Sequence, residues 1–315
     1  MTQINQRCAV LGKPIAHSLS PVLHMAAYRA LGLDDWSYGR HEVGEDDLDG
    51  FLRGLDPSWR GLSLTMPLKK TIQPYGTPAD YWADQLKVAN TAVFDWSKPG
   101  SQEGLPHIDL YNTDVPGIIY AIQHACDVTQ RQTLLDHAAT AAVIGNGNTA
   151  ESALSAICAM FGASDATDRN ATVIARHPGR NTDIAGIVAA QGDGGIGYAE
   201  THLDHAADVL AGSDIVVSTI PGRAADGIAE AIMDDTAFTP RGVLLDVVYD
   251  PRPSALIVAW RSKGGIAIGG EEMLLYQAIL QVKLMTGKQG ERRLQGGDAV
   301  ATLEPPMRKA LEEVL

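Results

Sequence analysis

Short apolar runs, each followed by turn residues and then by apolar positions at helical spacing, recur along this chain. The pattern is cleanest from Ala141 to Ile144, through Gly145-Asn146-Gly147-Asn148-Thr149-Ala150, to Ala153, Leu154, Ile157 and Met160, and on to a second run, Ala171 to Ala175. It predicts a strand, a glycine turn, a helix and a parallel strand. Upstream, Cys8 to Leu11 reads as a strand leading to a helix with Ser20 as N-cap, Pro21 in its first turn and Gly32 just past its end. Trp36 to Val43 is a second strand, and Glu45, Asp46 and Asp47 open a helix that turns Leu48, Phe51, Leu52 and Leu55 inward. A strand from Gly61 ends near Pro67, which starts another helix. Val88 to Phe94 and Leu110 to Asp114 are expected to pair, with Asp95 to Pro106 as the loop between them and Asp114 capping a helix to about Ala125. Beyond the glycine turn, Gly162 to Asn170 and Gln191 to Gly197 read as connections. Asp214 to Ser218 and Val243 to Val248 read as strands, and Glu271 to Thr286 as a helix stopped by Gly287. A loop from Lys288 to Thr302 then precedes a last helix after Pro305 and Pro306.

Composition narrows the function. With 315 residues, 45% of them hydrophobic, the chain can build two domains. A formal charge of −13 makes nucleic acid and anionic membrane poor partners, and an anionic small molecule needs a local cluster of cations. Met1 to Arg7 is polar and carries no secretory signal, and no run has the length of a membrane helix. The three cysteines are isolated and the nine histidines lack ligand spacing, so the expectation is a cytoplasmic protein with reduced thiols and no metal.

Local chemistry points to two ligands. In the glycine turn, Gly145 permits the tight turn, Gly147 allows backbone to approach a phosphate, and Ala150 occupies the position where the dinucleotide fingerprint accepts alanine; a plain strand-to-helix turn is the alternative. At the end of the next strand, where an acid would hold a ribose 2′-hydroxyl, the chain has Arg176 and Arg180 and no carboxylate. A guanidinium suits a 2′-phosphate, which favours NADP over NAD, against the ordinary reading of a solvated basic loop. Ser18 has no capping duty, and with Ser20 it offers two hydroxyls at a helix N-terminus that a small carboxylate can use. Lys69, in a first helical turn, opposes the helix dipole; taken alone, the position favours a solvated surface lysine.

Taken in order, Pro14 to Pro21, Ser63 to Lys69, Ala89 to Thr91, Asn112 to Gly117, Gly145 to Gly147, Asp246 to Pro251 and Gly270 to Ala278 resemble the motifs of the shikimate dehydrogenase family over nearly the whole chain. The resemblance implies NADPH-dependent reduction of 3-dehydroshikimate to shikimate, a step toward aromatic amino acids. It implies Lys69 and Asp114 as the catalytic pair. Ser18 and Ser20 would hold the substrate carboxylate, with Thr65, Asn90, Gln277 and Tyr249 on its other polar groups. The cofactor would rest on Gly145, Asn146, Gly147, Asn148, Thr149, Ala150, Arg176, Arg180, Thr219, Ile220, Val247, Gly270 and Met273. The chain departs from the family pattern at Ser63, where many members carry Asn, at Met25 after His24, where Asn is frequent, and at Asn148, where glycine is commoner. Its loop from Lys98 to Pro106 is also long. An NAD-dependent quinate/shikimate dehydrogenase of the same family is the runner-up, and a non-catalytic Rossmann ligand sensor the reading from another class.

The expected fold class is α/β: an N-terminal α/β substrate domain, residues 1–114, rejoined by 269–315, plus a C-terminal Rossmann-type doubly wound parallel sheet over 115–268. The protein is expected to act on a small molecule as a monomer or homodimer, its active site in the cleft between the domains.

Overall fold

The computed structural model describes residues 3–190 and 195–315; the predicted connection from Gln191 to Gly197 falls outside them at 191–194. The chain divides into two compact units, Met1–Thr113 with Leu274–Leu315, and Asp114–Met273. The chain therefore returns to the first unit inside a helix.

The first unit begins with β1 (Gln6–Gly12), α1 (Ser20–Ala30), β2 (Trp36–Glu42), α2 (Leu48–Arg53), β3 (Trp59–Leu64) and α3 (Leu68–Thr71). It continues with β4 (Thr77–Pro78), α4 (Tyr81–Leu86), β5 (Thr91–Pro99) and β6 (Pro106–Tyr111). Its six-stranded sheet runs β2-β1-β3-β5-β6-β4. β1 lies between β2 and β3, parallel to both, and is buried from Cys8 onward, so its apolar residues run on without alternation. β5 turns the sheet antiparallel against β3 and β6. Leu11, Leu48, Leu52, Leu62, Leu68, Ile72 and Ile108 fill one core face.

Two local readings change here. β5 and β6 run on through the expected loop, Asp95 opposite His107 and Pro99 opposite Pro106, leaving only 100–105 as the connection. Buried Leu105 and the Trp96 Nε1–H donated to the Trp59 carbonyl (2.7 Å) anchor this polar, turn-rich stretch to the core. In α1, Ser20 is the first helical residue and not the cap: Leu19 holds the cap position, and the Ser20 N–H turns to Ser18 Oγ (3.4 Å). Gly32 ends that helix at φ +60°, as its position predicts.

The second unit holds α5 (Asp114–Val128), α6 (Thr133–Asp136), β7 (Thr140–Ile144), α7 (Asn148–Ala163), β8 (Arg169–Ala175), α8 (Thr182–Ala189) and β9 (Ile196–His202). Then come α9 (Ala206–Ala211), β10 (Ile215–Ser218), α10 (Asp226–Asp234), β11 (Val243–Asp246), α11 (Ala255–Ser262) and β12 (Ile266–Gly269). Its sheet, β12-β11-β10-β7-β8-β9, is parallel at every pair. The order reverses between β7 and β10, the switch point at which such sheets bind nucleotides. Ile144, Val216, Leu244, Leu256 and Trp260 lie in its core. Asp114 stands within the first turn of α5, 1% exposed.

Helix α12 (Gly270–Glu291) crosses from the second unit back to the first, and Gly287, at φ 49° and ψ −139°, interrupts it where the sequence predicts a stop. The last helix, α13 (Ala299–Glu312), starts well before Pro305 and Pro306 and contains both. Asp298 caps it by accepting from the Ala301 N–H (3.1 Å), and Ala299, Leu303, Met307 and Leu311 are buried along it. Packing against α1 holds these turns helical despite the two missing amide donors.

Candidate active site

In the first unit, two of the expected substrate contacts, Asn90 and Gln277, belong to one hydrogen-bond chain. Tyr38 donates to Ser63 Oγ (2.6 Å), and Ser63 donates to Gln281 Oε1 (2.8 Å). Gln281 Nε2 donates to Thr91 Oγ1 (3.0 Å), Thr91 donates to Asn90 Oδ1 (2.9 Å), and Asn90 Nδ2 donates to Gln277 Oε1 (2.9 Å). The amide orientations follow from one unambiguous donor. The Thr113 backbone N–H donates to Asn90 Oδ1 (2.8 Å), so Asn90 must offer its NH₂ to Gln277. Gln277, half-buried, then accepts through its oxygen and presents N–H groups outward. A ligand group there must be an acceptor.

Backbone bonds add the other residues. The Ala89 N–H donates to the Lys69 carbonyl (2.9 Å) and the Leu64 N–H to the Asn90 carbonyl (2.7 Å), pinning α3 and β3 to the segment that carries Asn90. Thr65 donates its N–H to the Leu11 carbonyl (2.9 Å). Lys69 and Thr65 are half-buried, Ser18 likewise, and Ser20 and Asn90 are buried. Asp114 opens the second unit one peptide after Thr113, whose N–H and hydroxyl are both held by Asn90.

In the second unit, the glycine turn leaves β7 at the switch point. Gly145 has φ +112°, and a Cβ there would lie 2.4 Å from Thr219 Oγ1, so conformation and packing both demand glycine. Thr219, at the end of β10, bonds to the Ile144 carbonyl through its N–H (2.7 Å) and its hydroxyl (2.9 Å). Gly147 is exposed, with nothing within 4 Å of where its Cβ would be, and as N-cap of α7 it leaves the first amides of that helix without a side-chain cap. This open cradle at a helix N-terminus fits a pyrophosphate. Asn148 is exposed, Asn146, Thr149 and Ile220 are half-buried, and Ala150 is fully buried, as close helix packing requires. Arg176 and Arg180 are exposed on the loop after β8, and neither side chain makes an ion pair with a described residue. Gly270 lies under the Val247 carbonyl, 1.9 Å from its would-be Cβ, so close backbone packing explains that glycine; Met273 is buried at 6%. Ser254 Oγ donates to Asp246 Oδ2 (2.6 Å) and clamps the ends of the loop that carries Val247 and half-buried Tyr249. Burial and neighbouring Asp250 push the Tyr249 hydroxyl up, so it remains a donor.

Tyr38 and Gln281 escape a reading from sequence alone, whereas Ser63 and Thr91 lie within the motifs that it singles out. The available signal was Gln281 itself, one helical turn after Gln277 on the same face of an otherwise apolar helix. Burial pushes the thiols of Cys126 and Cys158 up to about 11, which rules out a resting thiolate nucleophile at either. Among the described residues no group of three His, Cys, Asp or Glu side chains is placed to hold a metal, and no helix is long and apolar enough to cross a membrane.

Residues 10–92 match a family profile described as the shikimate dehydrogenase substrate binding domain. The shikimate dehydrogenase (NADP(+)) of Halothermothrix orenii is 30% identical over 290 residues, 91% of this chain and 92% of the relative. The Mycobacterium tuberculosis shikimate dehydrogenase crystal structure superposes with a TM-score of 0.72 at 33% identity, covering 98% of this chain and 99% of that one. The Thermus thermophilus shikimate 5-dehydrogenase in complex with NADP(H) and shikimate gives 0.69 at 25% identity, covering 97% and 99%.

Proposed function

This chain belongs to the shikimate dehydrogenase family, and we propose that it is the oxidoreductase that interconverts 3-dehydroshikimate and shikimate with NADP(H), running toward shikimate in aromatic amino acid biosynthesis. The observation that carries the reading is the continuous chain from Tyr38 to Gln277, which fixes the polarity of groups suited to a small polyhydroxylated acid. Ser18 and Ser20 hold the carboxylate. Gln277 donates to a hydroxyl oxygen, and Thr65, Asn90 and Tyr249 take the remaining polar groups.

When bound, NADPH supplies the hydride. The open cradle at Gly145 to Gly147 holds its pyrophosphate, and Arg176 and Arg180, with no acid beside them in sequence, take the 2′-phosphate. The Lys69 ammonium stabilises negative charge developing on the ketone oxygen and delivers a proton to it. Buried Asp114 accepts from a substrate hydroxyl. The proposed setting is the cytoplasm, in keeping with three free, buried cysteines, and the working form a monomer or homodimer.

The test is absorbance at 340 nm with shikimate and either NADP+ or NAD+. Reduction of NADP+ with little of NAD+ is the expected result, and Lys69→Ala should lower kcat by roughly 10² to 10⁴ with KM little changed. Activity with NAD+ and quinate instead would make the chain a quinate/shikimate dehydrogenase. Cofactor binding without turnover would make it a sensor, and a fully active Lys69→Ala enzyme would remove lysine from the mechanism.

A further inference from the structure

The loop that carries the two arginines is braced from both sides. From β9, Glu200 Oε2 accepts the Gly179 N–H (2.5 Å), while its other oxygen accepts from the Tyr198 hydroxyl (2.7 Å). From the glycine turn, two asparagines exchange bonds with the loop. Asn146 Nδ2 donates to the His177 carbonyl (3.1 Å), and Asn181 Nδ2 donates back to the Asn146 carbonyl (3.1 Å). Asn181 Nδ2 also donates to Glu151 Oε1 on α7 (2.9 Å), and its Oδ1 accepts from the Asp183 N–H (3.1 Å), capping α8. One half-buried side chain thus ties together the phosphate turn, the helix that follows it and the end of the basic loop.

Arg176 and Arg180 themselves are exposed, and an exposed cation on a wandering loop discriminates poorly, because each anion contact then has to order the loop as well. Fixing the loop backbone at His177, Gly179 and Asn181 removes that cost. The tie to Asn146 sets the spacing between the pyrophosphate turn and the two guanidiniums.

We propose that Asn181 is a positioning residue for cofactor choice: it clasps the Arg176–Arg180 loop to the phosphate turn and so favours a ribose 2′-phosphate over a 2′-hydroxyl. The inference rests on the NADP reading above. Asn181 touches no cofactor atom in this account and acts through the arginines.

Asn181→Ser separates the clasp from the cap, since serine is also a good N-cap but is too short to reach Asn146 and Glu151. NADP+ and NAD+ are titrated separately by calorimetry, and KM and kcat are measured with shikimate. Loss of the clasp should weaken NADP+ about three- to tenfold, the scale of one or two hydrogen bonds, with NAD+ affinity and kcat nearly unchanged. In an Arg176→Ala background the same substitution should have little further effect. Equal weakening of both cofactors, or the full loss persisting in the Arg176→Ala background, would reduce Asn181 to a structural cap and overturn the proposal. A wild type that prefers NAD+ overturns both the clasp and the NADP reading. If NADP+ binds preferentially but shikimate is not oxidised, the enzymatic reading fails and the calorimetry still decides the clasp.

Discussion

His24 lies fully buried in α1, stacked on Tyr38 with ring centroids 3.8 Å apart. Its Nε2–H donates to Gln281 Oε1 (3.3 Å), which leaves Nδ1 bare and, among the described residues, without a partner. Burial pushes its pKa down to about 3. An unfolded histidine titrates near 6.5, so between these values the unfolded chain binds a proton that the native state refuses. Stability should therefore fall as pH drops from about 6.5 toward 3, by up to about 1.4 kcal/mol per pH unit from this residue. Urea midpoints at pH 7, 5.5 and 4.5 should show a shallower decline in His24→Gln than in the wild type; parallel declines would mean that His24 takes up its proton while folded. At this scale the glycine turn was legible, because the φ of Gly145 is available only to glycine. Gln281 was not, since its partners His24, Ser63 and Thr91 come from three remote segments. The duty of Ser20 was misassigned by one position: α1 is already under way at Ser20, and Leu19 holds the cap position.

Helix α13 shows where local signals lose to packing. Two consecutive prolines argue for a helix that begins with them, yet it begins at Ala299 behind the Asp298 cap. If the first turns are helical, Asp298→Ala should lower stability by about 0.5–2 kcal/mol in chemical denaturation with an unchanged m-value. A helix that starts at Pro305 would leave this substitution silent. The hairpin of β5 and β6 carries the same lesson, for the Ser, Gly and Pro between Asp95 and Pro106 mark turns correctly only for 100–105. Where no remote anchor intervened, as in β7, α7 and β8, periodicity located the elements to within a few residues.

At the scale of the molecule, a formal charge of −13 opposes any anionic ligand, so the proposed NADP preference would have to depend on two exposed guanidiniums acting locally. Raising salt from about 0.05 to 0.5 M shortens the screening length from roughly 14 to 4 Å, and the ratio of NADP+ to NAD+ affinity should fall with it. A constant ratio would show that the arginines do not meet the 2′-phosphate. The alternation of strand and helix announced two α/β units, and the parallel one followed directly from its glycine turn. That α1 packs on α13 and lends Gln281 its histidine was beyond periodicity, because it joins the two ends of the chain. The same union has a consequence on the ribosome. The face of α1 emerges early, but its covering helix follows only after the whole of 114–273. At roughly 5–20 residues per second the stretch of about 270 residues between them keeps that apolar stripe waiting roughly fourteen to fifty-four seconds for its partner. The second unit can close its own sheet in the meantime, so the first unit to begin is the last to be finished.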